Sequence, residues 1–202
     1  MDNIWGSQTK GEKEGNSKSE NSGLIETTGN HIYFYSDVDD ESIINLNKSL
    51  QETVRKIVTQ GISYGLERPE IHLHINSHGG SVFAGISAME NIIRLKKEAK
   101  IITHTEGISA SAATFISIVG EERIIYPHSY MLIHQIRAFY GGTYDNMQDN
   151  MKNLDELMDF LRGIYKQYTK VPEESLDEIL KHDIYFNAEK CIEYNLADRI
   201  FE

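Results

Sequence analysis

The sequence predicts an α/β fold built on a largely parallel sheet. Two observations carry that expectation: from His31 onward, short β-favouring runs alternate with segments of helical spacing, and turns rich in Gly, Ser and Asn separate them. No internal repeat is visible. A length of 202 residues fits one domain, and 40% hydrophobic with 25% charged residues is the composition of an ordinary globular chain.

Residues 1–30 are dominated by Gly, Ser, Asn, Lys and Glu and have almost no apolar periodicity, so they are expected to form a mobile arm, with Trp5 as its one conceivable anchor. Residues 31–202 are the folded domain. HIYFYSDV alternates as a strand does, and DDES followed by IINLNKSLQETVRKIV reads as an N-capped amphipathic helix through about Thr59. IHLHI (Ile71–Ile75) is a strand closed by Asn76-Ser77-His78-Gly79-Gly80, and Val82–Leu95 has helical spacing. IITHT (Ile101–Thr105) is the next strand, followed by a turn at Glu106–Ser109 and a small-residue helix over ASAATFISIVG. RIIYP and YMLIHQ are two further strands.

A long helix over about residues 143–168 has the clearest period. Tyr144, Met147, Met151, Leu154, Met158, Leu161, Tyr165 and Tyr168 recur in steps of three and four, with Asp145, Asp149, Asp155 and Asp159 off that seam. At ~1.5 Å per residue the rod is about 39 Å long, which predicts projection beyond the core and contact of its stripe with another subunit.

Composition excludes several classes. Twenty basic against thirty-one acidic residues give a net charge of −11, which opposes sequence-independent binding to a phosphate backbone, so no nucleic-acid partner is expected. No apolar stretch approaches the ~18–20 residues of a membrane span and no signal-peptide order is visible, so a cytoplasmic protein without a membrane partner is expected. Cys191 is the single cysteine, which rules out an internal disulfide and reads as a small buried hydrophobe.

Chemistry concentrates in two turns and one strand end. Asn76–Ser81 and Gly107–Ala113 each connect a strand to a helix, a geometry that presents backbone N–H groups to an anion or a developing oxyanion. His134, in Ile133-His134-Gln135, could activate a serine hydroxyl, which is a poor nucleophile until a base removes its proton. Ser111 would meet it if both elements end at one sheet edge. An acid must orient the imidazole, and Asp183 in KHDIYF is placed before a turn and helix. Spacing alone does not select these three from the other histidines and serines.

The runs IYFYSDVDDE, INSHGGSVFAG, GISASAATFI, YMLIHQ and FNAEKCIEYNLADRI, in this order over roughly residues 32–202, resemble the proteolytic subunits of the Clp protease family. The resemblance implies a crotonase-like spiral ββα fold, with Ser111 as nucleophile, His134 as base and the amides of Gly80 and Ala112 as oxyanion hole. It also implies a homo-oligomer of stacked heptameric rings, a tetradecamer, with the long helix as ring-to-ring handle. The activity implied is serine endopeptidase cleavage of unfolded polypeptides, without cofactor or metal.

The sequence departs from the family pattern in four places. His78 stands where the family has proline, removing a fixed φ. The segment SLDEILKHDIYFNA is short, so Asp183 is the best match for the acid and Asp177 the second. His72 and His74 replace two tyrosines, and Arg94 another aromatic, at the family's docking site for a Clp-type ATPase, which should weaken that partnership. His72 and His74 share a strand face, yet no third metal ligand lies near in sequence. Residues 1–30 lack the family's axial-loop segment. Three other readings remain: a catalytically inactive structural ring subunit, an acyl-CoA enzyme working through carboxylates, and a membrane-attached Ser–Lys peptidase. Ser111 with His134 argues against the first two, and the missing membrane segment against the third.

Overall fold

The computed structural model describes residues 24–63 and 68–202. In chain order the elements are β1 (Leu24–Thr28), β2 (His31–Tyr35), α1 (Asp40–Ser63), β3 (Glu70–Ser77), α2 (Val82–Leu95), β4 (Lys100–Ala110), α3 (Ala113–Ser117), β5 (Glu122–Ile125), β6 (Tyr130–Leu132), α4 (Tyr144–Tyr168), α5 (Glu173–Leu180), α6 (Ala188–Glu193) and β7 (Arg199–Ile200). The sheet runs β1-β2-β3-β4-β5-β7, with β6 also on β4, and every pairing is parallel except β1 with β2.

Alternation along the strands sends two sets of side chains to opposite faces. Ile32, Phe34, Ile71, Leu73, Ile75 and Ile101 are fully buried in one core with Leu46 and Leu50 of α1 and Ala88 and Ile92 of α2. The other face carries His31, Tyr33, Tyr35, His72, His74, His104 and Glu106. Asp39 caps α1: its Oδ1 accepts the Ser42 amide at 2.7 Å, and Ser42 Oγ accepts the Asp39 amide at 3.1 Å.

Several boundaries differ from those predicted. Leu24–Thr28, expected to belong to the arm over residues 1–30, instead pairs antiparallel with β2 across a two-residue loop in which Gly29 has φ +63°. Trp5 and residues 1–23 lie outside the described residues. The turn expected at Glu106–Ser109 belongs to β4, which passes it with a bulge and resumes pairing at Ser109 with Ser77. The helix expected over ASAATFISIVG is only α3. The YMLIHQ strand stops at Leu132, since Gln135 donates its amide to Leu180 O at 2.7 Å instead of to a ladder.

The long helix is α4, capped by Thr143, and its seam divides into two halves. Leu161, Ile164 and Tyr165 are buried, whereas Tyr144 (76% exposed), Met147 (44%) and Met151 (57%) lie off the core. Behind the C-terminal half, Arg123 ties three segments together, donating to Tyr168 O and Asn195 O at 2.8 Å and through Nε to Asp198 Oδ2 at 3.0 Å. The neighbouring guanidinium holds the Asp198 carboxyl below its usual range against the opposing effect of burial. Arg123→Met leaves those acceptors unpaired, and a loss of about 3 kcal/mol in urea denaturation is expected.

Candidate active site

Strand β4 delivers Ser111 to the sheet edge in a conformation that a side chain rarely adopts. Its φ is +55°, of the kind that costs on the order of 1–3 kcal/mol and persists only where neighbours fix it. Those neighbours are visible. The Ser111 amide donates to Leu132 O at 2.8 Å, and its carbonyl accepts from the Thr114 amide at 2.9 Å and Thr114 Oγ1 at 2.6 Å. Thr114 Oγ1 also shares a 2.8 Å hydrogen bond with the hydroxyl of Tyr165, which is 1% exposed. The buried half of α4 therefore braces the serine turn.

His134 lies just past β6. Its Nε2 is 2.7 Å from Ser111 Oγ, the distance at which the hydroxyl donates to a bare imidazole nitrogen. On the other side, Nδ1 lies 3.0 Å from Asp183 Oδ1, off the line of its N–H, so the contact is electrostatic and no straight hydrogen bond forms. Asp183 sits between α5 and α6, in a stretch held beside β6 by reciprocal Met131 and Phe186 backbone hydrogen bonds of 2.9 and 2.8 Å. Its second oxygen takes the Arg137 guanidinium. Burial, and then the Arg137 charge, lower the His134 pKa below the ordinary imidazole value, which keeps the ring neutral and basic near pH 7.

The two glycine-bearing turns meet here. Gly79 (φ +93°) packs against the serine turn so closely that a Cβ would lie 2.5 Å from Ala110 O, 2.7 Å from Ser111 Cβ and 3.0 Å from the Ala112 nitrogen. Gly80 (φ +148°) crosses Val38, whose carbonyl accepts the Ser81 amide at 2.7 Å. Among the described residues, neither the Gly80 nor the Ala112 amide donates to a protein group. Both are free to receive an external oxygen.

The remaining candidates are elsewhere. Asp177 pairs with Arg162 of α4 at 2.6 Å, so Asp183 is the carboxylate beside His134. His78 is exposed, and Arg94 donates to Asn91 Oδ1 at 2.7 Å on α2. Among the described residues no group of three or more His, Cys, Asp or Glu could hold a metal ion. Cys191 is fully buried and its thiol is pushed up to about 12 by that burial. Sequence reasoning missed Arg137 and the Thr114–Tyr165 brace; the only signal was a lone basic residue three positions past the histidine.

A hydroxyl, an imidazole and a carboxylate brought together on an α/β scaffold are the groups that a serine hydrolase uses. The chain belongs to the Clp protease family, whose model matches residues 26–202. It is similar to the ATP-dependent Clp protease proteolytic subunit of Deinococcus radiodurans, at 27% identity over 187 residues that cover 89% of this chain and 91% of the relative. No described helix is long and apolar enough to cross a membrane.

The tight fit of Gly79 has a measurable consequence. Gly79→Ala should cost about 1–3 kcal/mol of stability in urea denaturation and displace Ser111 from His134 in a crystal structure.

Proposed function

We propose that this protein is a serine endopeptidase that hydrolyses unfolded polypeptides. The 2.7 Å approach of Ser111 Oγ to His134 Nε2 carries the reading, because it is the step that turns a hydroxyl into a nucleophile. Ser111 attacks the peptide carbonyl as His134 takes its proton, and the Gly80 and Ala112 amides stabilise the oxyanion. His134 then returns the proton to the leaving amine. Water repeats the cycle on the acyl-enzyme, with His134 again as base, and releases the acid product and free Ser111. Asp183, 3.0 Å from Nδ1, offsets the charge that develops on the imidazole.

Family membership supports a finer reading: a crotonase-like spiral fold, assembled as stacked heptameric rings that enclose the active sites, in the cytoplasm. The exposed Tyr144–Met147–Met151 half of α4 is then the handle that meets the opposing ring. The name of the Deinococcus relative specifies ATP dependence; here His72, His74 and Arg94 stand at the positions that the resemblance assigns to ATPase docking, so weak coupling to such a partner is expected. A non-catalytic ring subunit is the second reading, and the grip of Arg137 on Asp183 is the observation in its favour.

A fluorophosphonate probe with native mass measurement separates the two. Labelling at Ser111 in a large oligomer supports the peptidase; a large oligomer that stays unlabelled supports the scaffold. Ser111→Ala should reduce kcat for unfolded substrates by on the order of 10⁶, and wild-type turnover by the variant would remove Ser111 from its role. Because burial, and then the Arg137 charge, disfavours the imidazolium, the acid limb of kcat/KM should lie below the ordinary histidine range. Arg137→Met should move that limb to higher pH, which a pH profile on a fluorogenic peptide reads directly.

A further inference from the structure

Away from the proposed catalytic residues, four histidines occupy one face of the sheet: His31 on β2, His72 and His74 on β3, and His104 on β4. Their rings stack, with centroids 4.6 Å apart for His31 and His72, 5.1 Å for His31 and His74, and 4.5 Å for His74 and His104. Two nitrogen–nitrogen hydrogen bonds cross the strands. His31 Nδ1 meets His74 Nε2 at 2.9 Å, and His72 Nδ1 meets His104 Nε2 at 3.0 Å. Glu106 closes the network, accepting from His74 Nδ1 at 2.7 Å and from the hydroxyls of Tyr35 and Tyr126.

We propose that this patch is a proton-operated latch: uncharged, it ties β2, β3 and β4 together just before the two active-site turns, and proton uptake in mildly acidic solution releases them. The proposal rests on the peptidase reading for its effect on activity, but not for its effect on the strands.

Each nitrogen–nitrogen bond requires one bare nitrogen, so protonating both members of a pair replaces attraction with two facing N–H groups. Charge compensation is scarce. Among the described residues Glu106 is the one carboxylate hydrogen-bonded within the patch, where the phenols of Tyr35 and Tyr126 stay protonated and Tyr33 stacks on His74 at 4.5 Å. At the far end, Lys100 takes both Glu70 and Glu122 at 2.9 Å, Arg199 also takes Glu122 at 2.9 Å, and Glu70 stays 4.0 Å from His72 Nε2. Glu26 of β1 is exposed opposite Tyr33. Positive charges added to the stacked rings repel one another. His104 is the most resistant, being 4% exposed with Nδ1 buried and unpartnered. Burial and the neighbouring imidazoles push its pKa down to about 4, and lower those of His31 and His72 in the same sense.

Chain geometry connects the patch to the site. Glu106 is the first of three β4 residues that stand against Asn76 alone, between the Ile75–Thr105 and Ser77–Ser109 pairs. Beyond it, Gly107 (φ +81°) donates its amide to Ser129 Oγ at 2.7 Å, and the strand ends at Ser111. Past the end of β3, Gly80 follows His74 by six residues. The unfolded chain binds protons at the ordinary histidine value and the folded His31, His72 and His104 resist them, so their stabilising contribution is complete above about pH 6.5 and falls as pH drops toward about 4.

The test uses the full chain, with histidine titration by NMR, hydrogen exchange of the β3 and β4 amides, and fluorophosphonate labelling. Between about pH 7.5 and about pH 5, protection of the Ile71–Ile75 and Ile101–Thr105 amides should fall at least about tenfold beyond the intrinsic exchange effect, together with labelling. His104→Gln keeps a partner for His72 without titrating and should blunt both losses; His72→Phe, at a half-exposed position, is the second variant. Protection that is unchanged, four histidines titrating independently at the ordinary value, or variants that follow the wild-type curve would each overturn the latch. Wild-type protein that never labels would overturn the peptidase reading alone, since titration and exchange still decide the latch.

Discussion

Because β3 and β4 run parallel and stay paired from Glu70–Lys100 to Ser77–Ser109, the turn after each strand arrives at the same edge of the sheet. Everything else at the site depends on that shared exit. Gly79 can touch the Ser111 turn only because the two strands end level, and they do so only because the bulge at Glu106–Ile108 absorbs the extra residues of β4. β6 then joins β4 beyond the bulge and carries His134 to the same edge, where Leu132 O receives the Ser111 amide.

Electrostatics at that edge are finely divided. Asp183 is half exposed and lies between two basic groups, the Arg137 guanidinium and the His134 imidazole. The arrangement favours a neutral imidazole at rest, as a base requires, at the expense of the straight carboxylate–imidazole hydrogen bond that would orient it best. The anchors behind it are more rigid: Tyr165 and Thr114 are buried, and the Arg123 hub joins the end of α4 to the C-terminal strand.

Much of the fold was legible in the sequence because strand alternation and helical period are local properties. β2, β3, α2 and α4 follow from their own residues, and α2 even at its exact ends, Val82 and Leu95. What the sequence obscured depends on partners distant in the chain. LIETT carries little apolar weight and becomes a strand only by pairing with β2; Glu106–Ser109 looks like a turn and is held in the ladder by Ser77. At the site, Ser111 and His134 stood out through the motifs around them, whereas spacing could not separate Asp183 from Asp177. The contacts of Arg162 with Asp177 and of Phe186 with Met131 make that distinction, and neither is a sequence pattern. Arg137 carried no motif at all.

Cys191 is the chain's single thiol; it lies on the buried face of α6 with its sulfur 3.5 Å from Phe186 O, and burial disfavours its ionisation. A reagent that alkylates thiolates can reach it only when α6 leaves the core against which Cys191 packs. The molecule thus contains its own probe for the opening rate of α6, readable by mass spectrometry without any introduced label.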